Sequence, residues 1–375
     1  MTTKPAWIDA DAHILEPTDV WKRVDEKFRD RIQITHLTDD PTYKNYPVGY
    51  DVFLDGHPIP IWLQGERKVR FERLIDGFRA KYEPGAGSDP AQYLKDLDRE
   101  GLAEVVIYPT LFLWAPWMPQ LGAAFSGALA RAYNDWIHDF CALSPKRLHP
   151  VAALALHDVD EAIREAHRCA KRGFVGIFVR PNPLYGRTLG HPDYTPLWHV
   201  LEELGLPVGI HEGQLSYLPT LGRDRSEAQW AVHTMSHPFE QMAAMVTCLE
   251  HGLFARFPKL NFLFLEGGTA LWLPYWLNRL DAARHLYRGS PGGLLPSEYF
   301  TRQGFVTCEV DDPFLPQTLS CVSDTKLLMS TDYPHQESPY PHSLEKFMAQ
   351  KIEPASRDRI GFSNARIAYP RLSSG

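Results

Sequence analysis

The chain contains no run of about 18 apolar residues, so no segment of it reads as a membrane-spanning helix. Cysteine is sparse. Cys141, Cys169, Cys248, Cys308 and Cys321 are scattered and odd in number, which excludes a disulfide framework and any Cys-x-x-Cys zinc motif, and points to reduced thiols in the cytoplasm. There is no basic excess. Lys and Arg total 39 against 46 Asp and Glu, a net charge of -7, so neither nucleic acid nor an anionic membrane is the expected partner. The opening Met1-Thr2-Thr3-Lys4-Pro5 carries no signal-like apolar stretch. No glycine-rich phosphate turn follows the first apolar segment, which argues against a nucleotide-binding open sheet.

What the chain does contain is an alternation of short apolar runs with longer helical patterns. Strands are predicted over Trp7–His13, Val105–Pro109, Pro150–Leu154, Val175–Arg180, Pro207–Glu212, Leu260–Glu266, Val306–Val310 and Leu327–Ser330. Most are continuously apolar, as expected where both faces of a parallel sheet are covered. Helical patterns lie between them over Pro90–Glu100, Gly122–Leu143, Asp158–Arg172, Pro192–Leu204, Pro238–Phe257 and Thr269–Arg284. Strand–helix alternation repeated this often in 375 residues predicts an α/β fold, a (β/α)8 TIM barrel, in preference to a doubly wound sheet. The whole chain, 1–375, is read as one barrel domain. Its stretch from about 19 to 87 breaks the alternation and is rich in Tyr, Pro and Gly, including Tyr43, Tyr46, Pro47 and Trp62. It reads as a lid-like insertion after the first strand, folded over the barrel mouth.

Barrel active sites sit at the C-terminal ends of the strands, so the polar residues there are the candidates. The first strand offers Asp11 and His13, two apart and therefore on one face. Further strands end in Arg180, in His211-Glu212, in Glu266, in Glu309 and Asp311, and in Asp332. Two imidazoles converging with several carboxylates suit a divalent ion, Zn, Fe or Mn, one or two per chain. Glu266 sits between Phe262–Leu265 and a Gly-Gly pair, where a buried carboxylate is costly unless it is paired or metal-bound. Arg180 is a candidate clamp for a substrate carboxylate. Trp114 and Trp117 are expected to line an apolar pocket. Asp9 and Glu16 are read as partners of the ligand imidazoles. His237 and His335 each adjoin a proline and are placed in loops at the mouth, the first for proton transfer or substrate orientation, the second to support Asp332.

The segments IDADAHILEP, RFPKLNFLFLEGG with LPYWLNRLD, and STDYPH resemble the amidohydrolase-2 family, in the branch that includes aminocarboxymuconate-semialdehyde decarboxylase. The resemblance runs from about residue 7 to 370. It implies a distorted (β/α)8 barrel and commonly a homodimer. It also implies metal ligation by Asp11 and His13, in place of the usual His-x-His, together with His211 and Asp332. Two departures follow. No lysine ends the fourth strand, so the carboxylated-lysine bridge of binuclear relatives is absent. Glu266 stands where the decarboxylases carry histidine. The leading expectation is accordingly a hydrolase in which metal-activated water attacks an ester, thioester, lactone or amide of a small, largely apolar, carboxylated substrate, with Asp332 and His237 moving protons. A non-oxidative decarboxylase of an aromatic or unsaturated acid is the alternative, and an inactive ligand-binding barrel a third.

Overall fold

The computed structural model describes residues 6–42, 44, 49–60, 75–287 and 293–374. Strand β1 spans Ile8–His13, and β2 (Ile32–His36), β3 (Tyr50–Leu54) and β4 (His57–Ile59) lie in the insertion after it. The chain then runs through β5 (Glu104–Tyr108), β6 (Leu148–Ala153), β7 (Gly176–Val179), β8 (Val208–His211), β9 (Phe262–Leu265), β10 (Gly304–Glu309) and β11 (Leu327–Ser330). β1 and β5 to β11 form one eight-stranded parallel sheet, in chain order. Each expected strand is present, displaced by a few residues at most. Their apolar runs are needed because helices cover the outside while side chains fill the inside.

The sheet curls into a (β/α)8 barrel that is distorted at one place. Neighbouring strands from β1 round to β11 share ladders, but β11 and β1 meet through individual contacts. Ser330 Oγ donates to Asp11 O at 3.0 Å, Thr331 donates through both its amide and its hydroxyl to the Asp9 carboxylate, and the His13 amide donates to Tyr333 O at 2.6 Å. Inside the barrel Tyr108 crosses to Tyr369, hydroxyl to hydroxyl at 2.8 Å, and Tyr369 donates on to Ala10 O. Gly209 on β8 makes room for this ring, since a Cβ there would lie 2.3 Å from the Tyr108 hydroxyl.

The helices follow their sequence signals with one exception. Asp89 caps Pro90–Glu100, and Asp158 caps Val159–Lys171 by accepting the Glu161 amide at 3.0 Å. The pattern placed at Pro238–Phe257 is instead a helix from Gln229 to Glu250 with Pro238 inside it, followed by a short turn at Leu253–Arg256. Proline forfeits one backbone bond. Burial of Val232, His237, Gln241, Ala244 and Met245 along one face offsets that cost and carries the helix through.

The insertion contributes 3-10 turns at Val20–Arg23 and Glu26–Arg31, an antiparallel sheet of β2, β3 and β4, and a helix covering 75–81. Trp21 stacks on Phe112 at 4.7 Å, and the Tyr50 hydroxyl donates to Glu16 O at 2.6 Å. Each of these buried rings contributes roughly 1.5–3 kcal/mol towards holding the insertion on the barrel. Tyr50, Ile59, Phe78, Lys81 and Tyr82 face a cavity above the strand ends, as a lid would. Tyr43, Tyr46, Pro47 and Trp62 lie outside the described residues. Among the described residues no helix is long and apolar enough to cross a membrane, and all five cysteines are free thiols.

Candidate metal centre

β1 presents Asp11 and His13 to the barrel mouth, β8 presents His211, and Glu266 and Asp332 follow β9 and β11. His13 Nε2 and His211 Nε2 are 3.2 Å apart, and each lies 3.9 Å from Asp11 Oδ1. Asp332 Oδ1 is 3.4 Å from His13 Nε2, and Glu266 Oε2 is 3.2 Å from His211 Nε2. Asp11, His13 and His211 therefore meet at one point, and Asp332 and Glu266 each approach one of its two histidines. Glu266 and Asp332 do so with left-handed backbone, φ 48° and 56°, which costs a residue with a Cβ roughly 1–2 kcal/mol each. The Glu266 amide is held by Thr307 Oγ1 at 3.0 Å.

The far side of each imidazole settles its tautomer. His13 Nδ1 contacts Pro109 O at 2.7 Å and His211 Nδ1 contacts Glu212 O at 2.5 Å. A carbonyl only accepts, so both Nδ1 atoms carry the hydrogen and both Nε2 atoms present a lone pair. Burial holds both rings well below the usual histidine range, which keeps them neutral. Asp11 Oδ1 is buried beside them with no hydrogen-bond partner among the described residues. Burial, and then the charges of Asp332 and Asp9, push its carboxyl well above the ordinary value. Two nitrogen lone pairs and an unpartnered carboxyl oxygen facing one another crowd electron-rich atoms together, and they disfavour the ionised carboxylate unless a positive charge joins them. A divalent cation among them supplies that charge, so the residues fit a metal.

The other expected residues fall into place unevenly. Trp114 lines the cavity, its Nε1 donating to Gln214 O at 2.6 Å. Trp117 does not; it is buried against Phe178. Arg180 is corrected as a substrate clamp. It is fully buried below the cavity, and its guanidinium donates to Asn182, Leu113 O, Gly213 O and Glu212, the last at 3.1 Å. Even beside Arg180, burial raises the Glu212 carboxyl to about 8. The one lysine of the cavity wall among the described residues is Lys81, in the insertion. Its Nζ donates to Gln336 O at 3.0 Å and to Ser338 O, leaving a third N–H.

Glu16 touches no ligand imidazole. It accepts the amides of Thr110, Leu111 and Phe112 and so fixes the loop after β5. Asp9 likewise grips Thr331 rather than a histidine. His335 stacks on His13 at 4.0 Å with its Nδ1 2.7 Å from Asp332 Oδ1, so it supports Asp332 as expected. Burial alone would lower His335, but the Asp332 carboxylate overrides it and raises the ring above its usual value. His237 is on the helix Gln229–Glu250 rather than in a loop, and it faces the cavity.

The structure adds two positioning residues, Gln241 and Asp96. Gln241 Nε2 donates to Ile210 O and Leu265 O, the carbonyls just before His211 and Glu266. Its signal is a polar residue four places after His237 on the same helix face. Asp96 accepts the hydroxyls of Tyr333 and Tyr340 and thereby holds the turn that carries Asp332; nothing in its local sequence marks it.

Fold and site together define a (β/α)8 barrel with a metal-ligand cluster at its C-terminal mouth. The amidohydrolase family model matches residues 8–371, and the chain belongs to that family. It is 31% identical over 258 residues to a gamma-resorcylate decarboxylase of Rhizobium sp. (strain MTP-10005), spanning 64% of this chain and 76% of the relative. It is 25% identical over 253 residues to a 2-amino-3-carboxymuconate-6-semialdehyde decarboxylase of Dictyostelium discoideum, spanning 66% and 67%. Among solved structures, a dihydroxybenzoic acid decarboxylase of Polaromonas sp. with bound manganese superposes with a TM-score of 0.64 at 20% identity, over 98% of this chain and 97% of that one.

Proposed function

We propose that the protein is a metal-dependent, non-oxidative decarboxylase of an aromatic or unsaturated acid. The observation that carries this is the similarity to two decarboxylases in a chain that brings Asp11, His13 and His211 to one point, with Asp332 3.4 Å from His13. Those residues would hold the metal, and manganese in the Polaromonas structure favours that ion. When bound, the ion supplies Lewis acidity to the substrate's carboxylate and the oxygen beside it.

The rest is done by this chain's own groups. Tyr50, Phe78 and Trp114 form an apolar wall for a ring or conjugated chain. Lys81, in place of the expected Arg180, offers its remaining N–H to a second negative group. The bond to the carboxyl carbon breaks and carbon dioxide leaves. The carbon left behind takes a proton from Asp332, and His335, 2.7 Å from Asp332 and held by Thr110 Oγ1 at 2.8 Å, resupplies it.

Acyl hydrolysis, the leading expectation from sequence, is the second reading, and Glu266 is the observation that favours it. The test is a panel of hydroxylated aromatic acids and a panel of esters and amides, both offered to manganese-loaded enzyme. Carbon dioxide released one for one with the decarboxylated product, and abolished in Asp332→Asn, is the expected result. Turnover of an ester or amide with no carbon dioxide from any acid would overturn the reading.

A further inference from the structure

The cavity wall beside Glu266 carries a second set of donors that the decarboxylase reading does not use. His233 and His237 are four residues apart on the helix Gln229–Glu250, a spacing that puts two imidazoles on one face, as in helical metal-binding pairs. Their rings lie side by side, centroids 4.1 Å apart and 31° from parallel. One nitrogen of each and one oxygen of Glu266 all fall within 4.8 Å of one another. Donors about 2.0–2.2 Å from a common ion sit roughly 3.4–4.4 Å apart, so little adjustment closes this trio on a cation.

The tautomer argument applies here as well. His237 Nδ1 contacts the Ser236 hydroxyl at 3.3 Å and, more closely, His233 O at 3.1 Å, and that carbonyl can only accept. Nδ1 therefore carries the hydrogen, and the lone pair of Nε2 points at Glu266 Oε1, 3.5 Å away. Two electron-rich atoms in that relation call for a cation or a shared proton between them. Glu266 connects the two clusters, with Oε2 facing His211 at 3.2 Å and Oε1 facing His237. An imidazole at this position has one nitrogen to offer the mouth and could serve one cluster; a carboxylate has two oxygens and can serve both.

We infer that His233, His237 and Glu266 form a second divalent-cation site, joined to the first through the two oxygens of Glu266. Two imidazoles and one carboxylate suit a borderline transition ion such as Zn²⁺ or Co²⁺ rather than Mg²⁺ or Ca²⁺. All three residues line the open cavity, so coordination positions remain for water or substrate. The site does not depend on the reaction being a decarboxylation.

The experiment counts metal without substrate, so a failed decarboxylase assay leaves it intact. Metal-free protein is dialysed to saturation against Co²⁺, and bound cobalt is measured by elemental analysis and by its visible absorption. About two Co²⁺ per chain are expected in the wild type, falling to about one in the His233→Ala/His237→Ala double variant. The independent check is His211→Ala, which should keep one Co²⁺ and lose it when His237→Gln is added. Circular dichroism confirms that each variant is folded. One Co²⁺ in the wild type that persists in the double variant, or none in His211→Ala, would overturn the second site and leave His237 and Glu266 sharing a proton.

Discussion

At the scale of single residues, the backbone bonds of His13 and His211 show how little freedom the site retains. Each ring spends one nitrogen on a fixed carbonyl, so the other is committed to the mouth. Arg180 teaches the opposite lesson. Its place at a strand end was legible, but whether it points into the mouth or the wall was not, because one residue of shift at a strand end reverses the face. Enclosed with Glu212, it is structural. Arg180→Met should lower unfolding free energy by about 1–3 kcal/mol, since it removes the buried donor of Leu113 O, Gly213 O and the Glu212 carboxyl. Denaturant melts would show this, and a normal melt with a raised KM would instead restore the clamp. His157 gives a pH signature. Burial lowers it from 6.5 to about 4, so between those values the unfolded chain binds the proton first. Stability contributed by neutral His157 is present above pH 6.5 and lost as pH falls towards 4. Allowing for its partial exposure the loss is about 2 kcal/mol. His157→Gln should flatten the acid limb of the stability curve, and an unchanged slope would refute the assignment.

At the scale of elements, the strands were readable because parallel strands covered on both faces leave continuous apolar runs. The helix through Pro238 was not, since proline is a strong local stop and only the buried face of the assembled helix outweighs it. The same helix carries Gln241, which ties the ends of β8 and β9 together. Gln241→Leu leaves two buried carbonyls without a donor and should cost about 2–4 kcal/mol. Because those carbonyls precede His211 and Glu266, metal affinity should fall about 10–100-fold as well. Competition with a fluorescent chelator measures this, and a stability loss at unchanged affinity would confine Gln241 to packing. The lid was legible as an interruption of the strand–helix rhythm, but Lys81 was hidden within its polar composition.

At the scale of the whole molecule, the proposed metal ligands come from β1, β8 and the turns after β9 and β11, so binding would span the barrel. A ligand that binds only the folded state at 100 times its Kd adds about 2.7 kcal/mol. Stripping the metal with a chelator should therefore lower the melting temperature, and re-addition should restore it; equal melts would mean that the cluster holds no ion. The loss should be local. Where β11 meets β1 the ladder gives way to a few individual bonds, and Asp11, His13 and Asp332 stand on the two sides of that join. There the barrel is a hoop with a split, and the ion is its rivet. Without the rivet the lips of the split become the cheapest place for the fold to breathe. Amide exchange in β1 and around Tyr333 should then quicken well before the opposite wall at β6 and β7 responds.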